Sequence, residues 1–154
     1  MKITILCIGR LGAAAEAKLA LAWAQRASLS GRGHGLGPVE IVEVEPRKAG
    51  KASEGDALLE RLADCHVVAC DERGHSRTSR DFADRLGHLR DDGVRRVVFV
   101  IGGADGLDAR VLAVADDRLA FGNQTWPHAL VRAMLAEQIY RAATLMAGSP
   151  YHRD

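Results

Sequence analysis

The sequence lacks several features that would assign a class of protein directly. Only three of its 154 residues are cysteines, Cys7, Cys65 and Cys70, an odd number with no C-x-x-C spacing. This argues against a disulfide framework or a zinc knuckle and is typical of free thiols in a reducing cytoplasm. No apolar run reaches the ~18 residues of a membrane span, and the start of the chain lacks the small-residue cleavage pattern of a signal peptide. We therefore expect a cytoplasmic protein that does not enter a membrane.

A strong excess of one charge is also missing. The formal net charge is +1, with 47% hydrophobic and 27% charged residues. This balance predicts a folded globular chain, and the length suits one domain over residues 1–154. The sequence does not have the basic excess of a protein that coats nucleic acid, although a local basic face would not show in a net figure.

Common nucleotide and metal motifs are absent. The turn from Gly102 to Gly106 does not follow the G-x-G-x-x-G pattern, and Gly50-Lys51-Ala52 is not part of a P-loop. The six histidines form no pair at helix spacing with a nearby acid, so we predict no metal site.

Apolar runs rich in β-branched residues alternate with segments typical of helices. Strands are predicted at 3–8, 39–44, 66–70 and 96–101. This alternation predicts an α/β fold with a mostly parallel sheet flanked by helices.

The helices are predicted from composition and apolar spacing. They comprise an Ala-rich helix at 13–27, a helix carrying Phe82, Leu86 and Leu89, one carrying Leu107, Val111 and Ala115, and a last helix at 129–147. The last helix is apolar on more than one face and needs burial, for which a second subunit is one candidate surface.

Two segments follow predicted strands and are candidates for ligand binding. The apolar strand at 97–101 leads into Gly102 and Gly103, where parallel sheets bind ligands and where glycine permits close backbone approach. A plain strand-to-helix turn is the alternative. The loop after the third strand carries Arg73, Arg77 and Arg80, which suit phosphates, while Thr78 or Ser79 is a candidate helix cap.

The end of the chain departs from the usual polar terminus. Tyr151, His152 and Arg153 follow Pro150 directly after the last predicted helix. Tyrosine stacks on bases, histidine moves protons near neutral pH and arginine binds phosphate, whereas frayed surface residues are the alternative.

Taken in order, these segments resemble the bacterial ribosomal RNA large subunit methyltransferase H family, pseudouridine N3-methyltransferases of the SPOUT class. The resemblance covers essentially the whole chain. The segments that carry it are the opening strand 2–9, Cys70-Asp71-Glu72-Arg73-Gly74, the Ile-Gly-Gly-x-x-Gly of 101–106, Pro127-His128-x-Leu130-Val131-Arg132, Glu137-Gln138-Ile139-Tyr140-Arg141-Ala142 and Pro150-Tyr151-His152-Arg153. The sequence departs from the family pattern at Cys70, at Ala104-Asp105 and at Ala129.

The resemblance implies a C-terminal deep trefoil knot, a homodimer and S-adenosyl-L-methionine as the methyl donor. The donor would lie among three loops, and the matching cofactor-binding positions are Cys70, Gly102, Gly103, Phe121, Gly122, Asn123, Gln124, Thr125 and Trp126.

The resemblance also implies the reaction, which is methylation of N3 of a pseudouridine in helix 69 of 23S ribosomal RNA, on assembled ribosomes. The imino nitrogen must lose its proton, so a general base is needed. His152 and Asp105 are candidates for the base, with Arg153 stabilising negative charge, and Asp105 is alternatively a helix cap.

The predicted RNA-contacting residues are Tyr151, Arg141, Arg73 and Arg77, although Arg141 alternatively pairs with Glu137. Two other functions remain open from the sequence. One is a SPOUT methyltransferase that acts on another RNA such as transfer RNA, and the other is a non-catalytic ribosome-binding or assembly protein.

Overall fold

Strands and helices alternate along the chain, as predicted, in a computed structural model that describes residues 1–151. The elements are β1 (Lys2–Ile8), α1 (Ala15–Gly31), β2 (Val39–Val44), α2 (Lys51–Leu59), β3 (His66–Ser76), α3 (Ser79–Asp91), β4 (Arg96–Ile101), α4 (Ala109–Ala113), β5 (Asp117–Ala120) and α5 (His128–Met146), with a short 3-10 turn at Arg32–His34. Within this range no helix combines the length and the apolar character needed to cross a bilayer.

The strands form one five-stranded sheet in the order β2-β1-β4-β3-β5. Every neighbouring pair is parallel, which confirms the predicted parallel sheet. Because all strands run in one direction, their carboxyl ends lie along the same edge of the sheet, where open parallel sheets bind ligands.

Helices cover both faces of the sheet and enclose two apolar cores. Helices α1, α3 and α5 pack on one face, and α2 and α4 on the other. The central strand β4 alternates between the cores, with Phe99 and Ile101 in the first and Val98 and Val100 in the second. A strand that is buried on both faces needs the unbroken apolar run seen at 97–101.

The structure differs from the sequence prediction around β3 and β5. Strand β5 was not predicted, and β3 extends beyond Cys70 to Ser76. The second half of β3 pairs with β5 after a register shift between Cys70 and His75. Gly74 lies so close to β5 that a Cβ atom there would come 2.8 Å from backbone atoms of Leu119. Backbone pairing along an edge strand therefore holds this polar segment.

The helices also differ from prediction at their ends. Helix α1 continues to Gly31, and α4 is a short helix at Ala109–Ala113. Its N-cap is Asp108, whose carboxylate accepts a hydrogen bond from the Arg110 amide. The predicted cap of α3 is confirmed, because the Thr78 hydroxyl accepts from the Asp81 amide at 3.1 Å.

Candidate functional site

A cleft of about 790 Å³ opens at the carboxyl ends of β4 and β5 and at the register shift within β3. It contains every predicted cofactor-binding residue except Gly122 and Asn123, which lie in the same loop. Its wall is formed by three loops with the adjoining strand ends, the start of α5, and one residue each of α2 and α4. These residues are Cys70 to Arg73, Ile101 to Leu107, Arg118 to Phe121, Gln124 to His128, Val131, Lys51 and Leu112. Its volume is in the range of sites for small molecules and cofactors, ~300–1,000 Å³.

The glycine turn after β4 forms the floor of this cleft. A Cβ atom at Gly102 would come 2.8 Å from the carbonyl carbon of Gly106, so the turn folds back too closely for a side chain there. Gly106 has a φ of +75°, and its amide donates to the Gly103 carbonyl at 3.1 Å. The turn thus presents backbone, without side chains at Gly102 and Gly103, to whatever occupies the cleft.

The loop within β3 contributes charged groups and one thiol. Asp71 accepts a hydrogen bond from the Arg73 amide at 2.7 Å, which shapes the loop. Although part of Cys70 remains open to the cleft, burial raises the pKa of its thiol well above the usual range, and the thiol of Cys7 adds to the shift. Cys70 therefore contributes a neutral, compact surface to the cleft.

The loop after β5 is closed on itself and tied to the β3 loop. The indole nitrogen of Trp126 donates to the Phe121 carbonyl at 2.9 Å, which joins the two ends of the loop. The Thr125 hydroxyl donates to the Glu72 carboxylate at 3.0 Å. These two hydrogen bonds give the 121–126 segment a defined shape without regular secondary structure.

The start of α5 is anchored by a buried cation. Arg132 is 1% exposed, and its guanidinium donates to the Glu43 carboxylate at 2.9 Å and to the carbonyls of Ile8 and Gly9 at the end of β1. One turn earlier, His128 lies 3.5 Å from the same guanidinium and lines the cleft. The anchor therefore fixes the α5 wall of the cleft relative to the sheet.

Several cleft residues were missed by sequence reasoning as site residues. Lys51 and Arg118 bring positive charge to the wall, and His128 brings an imidazole. Arg118 lies on the unpredicted strand β5, and Lys51 reaches the cleft only because α2 packs beside the glycine turn. Only His128 carried a sequence signal, because it belongs to the segment Pro127-His128 that was singled out above.

Asp105 lies in the cleft wall and is exposed. The alternative role of Asp105 as a helix cap is wrong, because α4 begins two residues later than predicted and Asp108 is its cap. A hydrogen bond from the Arg110 side chain, together with one from its amide, lowers the pKa of Asp108. Because Asp108 and not Asp105 caps α4, Asp105 remains available in the cleft wall.

The predicted RNA-contacting arginines differ in their surroundings. Arg73 lines the cleft and forms no ion pair with any residue between 1 and 151. Arg77 lies outside the cleft and donates to Asp117 at 2.8 Å. The predicted pairing of Arg141 with Glu137 is confirmed by a distance of 2.6 Å.

Tyr151 packs against its own chain, away from the cleft. Its hydroxyl donates to Glu137 at 3.0 Å, and its ring meets Tyr140 at 4.7 Å between centroids and Trp23 at 6.0 Å. The Arg141 guanidinium lies 5.0 Å from its ring centroid. The other two predicted tail residues, His152 and Arg153, lie outside the described residues.

No group of three or more histidine, cysteine or acidic side chains within residues 1–151 is placed to hold a metal ion. The chemistry of the cleft is that of backbone amides and carbonyls, apolar wall and a few charged groups. Such a wall suits an organic ligand with both polar and apolar parts.

Sequence comparison relates the whole chain to methyltransferases. Residues 1–152 match a family model described as predicted SPOUT methyltransferase. Proteins named ribosomal RNA large subunit methyltransferase H from Caulobacter vibrioides and Phenylobacterium zucineum are 65% and 62% identical over 154 residues. These matches span 100% of this chain and 99% and 100% of the two relatives. The protein of that name from Dinoroseobacter shibae is 51% identical and is matched over 99% of both chains.

Solved structures show the same fold at low sequence identity. A probable methylase family protein from Haemophilus influenzae has a TM-score of 0.56 at 15% identity, over 99% of this chain and 70% of the other. A probable methyltransferase from Bordetella pertussis has a TM-score of 0.53 at 16% identity, over 92% of this chain and 96% of the other.

Proposed function

Because the chain belongs to the SPOUT methyltransferase family, among the ribosomal RNA large subunit methyltransferases H, we propose that it methylates N3 of a pseudouridine in helix 69 of 23S ribosomal RNA. The proposed methyl donor is S-adenosyl-L-methionine and the proposed substrate is the assembled ribosome, in the cytoplasm. The relatives' printed name supports large-subunit ribosomal RNA as the substrate class.

The observation that carries this proposal is the cleft at the carboxyl ends of β4 and β5 and the register shift within β3. Its glycine turn cannot accept a side chain at Gly102, and its volume of about 790 Å³ fits a nucleoside with an amino-acid arm. The residues present therefore fit the donor. Gly102, Gly103, Cys70 and the 121–126 loop would hold it, and a bound donor would supply an electrophilic methyl group on a positively charged sulfur.

The main task of the protein in this reaction is alignment. Transfer is an in-line displacement, and holding nucleophile and methyl group in line supplies roughly 7–11 kcal/mol of a barrier. The hydrogen bonds of Thr125 to Glu72 and of Trp126 to Phe121 support this role because they preorganise two of the three loops.

The proposal also needs a group that removes the N3 proton. Asp105 and His152 remain the candidates, and Arg153 is proposed to stabilise the developing negative charge. Asp105 is supported by its exposed position on the cleft wall. His152 is supported by the family resemblance of the tail.

Positive side chains near the cleft are proposed to contact the RNA. Arg73 is supported best, since it lines the cleft without an ion pair among residues 1–151. Arg77, Arg141 and Tyr151 each have a partner in this chain, so RNA contact would require them to exchange or share that partner. Phosphate contacts of this kind position an RNA without selecting its sequence.

We further propose a homodimer in which the tail of one subunit serves the cleft of the other. Tyr151 bonds to Glu137, which lies nine positions along α5 from His128 at the cleft, a rise of roughly 14 Å at ~1.5 Å per residue. The packing of Tyr151 against Glu137 and Tyr140, away from the cleft of its own chain, supports donation of the tail to a partner's cleft.

A C-terminal trefoil knot is also proposed, on the basis of the family resemblance. It is supported by the path of the chain after β5, an edge strand of the sheet, since the following helix α5 begins at the cleft with the glycine turn and contacts α1 and the end of β1.

The test is transfer of a labelled methyl group from S-adenosyl-L-methionine to ribosomes that lack the modification, with the product nucleoside identified by mass. The proposal expects methylpseudouridine with the wild-type protein, and loss of product but retention of donor binding with His152→Ala. Donor binding without methylation of the ribosome would favour another RNA, such as transfer RNA. Absence of donor binding would favour a non-catalytic assembly protein.

A further inference from the structure

Helix α2 packs closely against the glycine turn and against Asp108, the residue that caps α4. A Cβ atom at Gly103 would come 2.7 Å from one carboxylate oxygen of Glu54 and 2.9 Å from the other. On α2 itself, Gly55 leaves space for the side chain of Asp108, because a Cβ atom at Gly55 would come 2.8 Å from the Cβ of Asp108. Each partner in this contact thus presents bare backbone to a carboxylate side chain of the other.

Arg110 holds this contact together from the side. Its guanidinium donates to Asp56 at 2.7 Å, to the Ala52 carbonyl at 2.9 Å and to Asp108 at 3.0 Å. Arg110 is therefore paired with Asp56 and Asp108, and not with Glu54.

Glu54 itself has no such partner within the part of the chain that the structure describes. Its Oε2 atom is buried and accepts no hydrogen bond from any residue between 1 and 151, and its carboxylate forms no ion pair in that range. Buried polar atoms in proteins are nearly always paired, and an exception calls for an explanation in function or in a missing ligand. The unpaired carboxylate lies directly against Gly103, which lines the cleft.

We propose that Glu54 is a positioning residue of the donor site whose unpaired carboxylate, held against Gly103, makes the cleft favour the methyl donor, with its sulfonium charge, over the product, whose sulfur is neutral. Glu54 does not line the cleft, so it acts through the turn and through its field. Because its Oε2 atom is buried in a side chain that is otherwise partly exposed, that field is screened less than the field of a fully exposed carboxylate. Product release would be favoured by the same residue, since transfer removes the positive charge on sulfur.

This inference rests on the proposed function, specifically on its methyl donor. The experiment measures dissociation constants for S-adenosyl-L-methionine and S-adenosylhomocysteine by calorimetry, in the wild type and in Glu54→Gln, which keeps the shape and removes the charge. We expect Glu54→Gln to weaken donor binding about tenfold and product binding less than about twofold. The matched control is Glu60→Gln, which removes the same charge from an exposed position beside the end of α2 and should change neither.

Equal changes for the two ligands in Glu54→Gln, or no change for either, would overturn the inference. Glu54→Asp keeps the charge and should retain the preference for the donor, so a loss of preference there would also count against it. The ratio of the two constants is insensitive to a general loosening of the fold, which thermal unfolding monitors separately. If the wild-type protein prefers donor to product, and Glu54→Gln removes that preference, but the wild type does not methylate ribosomes, only the proposed substrate is refuted.

Discussion

Arg132 is a charged side chain in the interior of the protein. Its three strong acceptors are Glu43 and two carbonyls at the end of β1, while its Nε atom is buried without a hydrogen-bond partner among residues 1–151. Removing one member of a buried ion pair is costly because it leaves the other charge and the carbonyls without compensation. The residue therefore couples the position of α5 to the sheet.

We expect Arg132→Met to lower the free energy of unfolding by at most roughly 3–5 kcal/mol, the range for fully buried pairs, because the Glu43 side chain is 30% exposed. Urea denaturation measures the change. The control is Arg10→Met, since Arg10 has a 74% exposed side chain 4.0 Å from Glu45, and surface pairs contribute only ~0–1 kcal/mol. A loss of less than about 1 kcal/mol in Arg132→Met would show that the network is not an anchor.

Cys70 offers a chemical probe of the cleft. Burial raises the pKa of its thiol, and the thiolate is the reactive form, so alkylation at pH 8 should be slower than that of a free thiol and should accelerate as pH rises. S-adenosyl-L-methionine should slow it further by covering the cleft. Mass spectrometry of iodoacetamide-treated protein measures the rates, and Cys7, which is 0% exposed and so out of reach of the reagent, is the unreactive internal reference. Reaction of Cys70 at an unchanged rate with saturating donor would place the donor elsewhere.

At the scale of elements, two adjacent glycines in the turn should respond differently to alanine. At Gly102 the added Cβ would meet backbone of Gly106, which cannot move aside, whereas at Gly103 it would meet the end of the Glu54 side chain. We expect Gly102→Ala to abolish binding of both the donor and S-adenosylhomocysteine, and Gly103→Ala to weaken the binding of both, because the added Cβ collides with Glu54 and shifts the turn.

Calorimetric titration with S-adenosylhomocysteine checks this prediction, because its binding does not depend on the proposed charge effect. Adding Glu54→Ala to Gly103→Ala should restore product binding to within about threefold of Glu54→Ala alone, an energy difference below ~0.7 kcal/mol. Adding Glu54→Ala to Gly102→Ala should restore nothing. If Glu54→Ala restored product binding equally in both glycine variants, the backbone of Gly106 would have to move aside for the added Cβ at Gly102, contrary to the prediction.

The elements also show what the sequence can and cannot predict. The strands at 39–44 and 96–101 were predicted with their observed bounds because apolar runs bounded by turns define them locally. Strand β5, with the sequence Asp117-Arg118-Leu119-Ala120, has no such local signal and exists because β3 offers it a pairing edge. The pocket loops could be predicted from strand ends and family resemblance. The Glu54 contact and the Arg132 anchor depend on which helices meet, which periodicity does not encode.

At the scale of the whole molecule, the tail and the cleft are proposed to cooperate across two subunits. We expect a mixed dimer of one subunit lacking residues 152–154 and one Gly102→Ala subunit to methylate ribosomes, although each parent homodimer should be inactive. In such a dimer the tail-deleted subunit has a normal cleft and receives the intact tail of its partner. Light scattering checks the dimer, and labelled methyl transfer checks activity. Complete inactivity of a verified mixed dimer would contradict donation of the tail.

Helix α5 begins at the cleft with His128 and ends at Met146, next to the segment that carries Tyr151. One rigid rod therefore sets the spacing between the cleft and the tail of the same chain, and the spacing is counted in residues at ~1.5 Å each. Inserting a single helical turn after Gln138 would shift the tail by roughly 5 Å while leaving the cleft untouched. The length of α5 thus sets the distance from the cleft to the tail, and changing it would alter where the tail can reach without altering what the cleft binds.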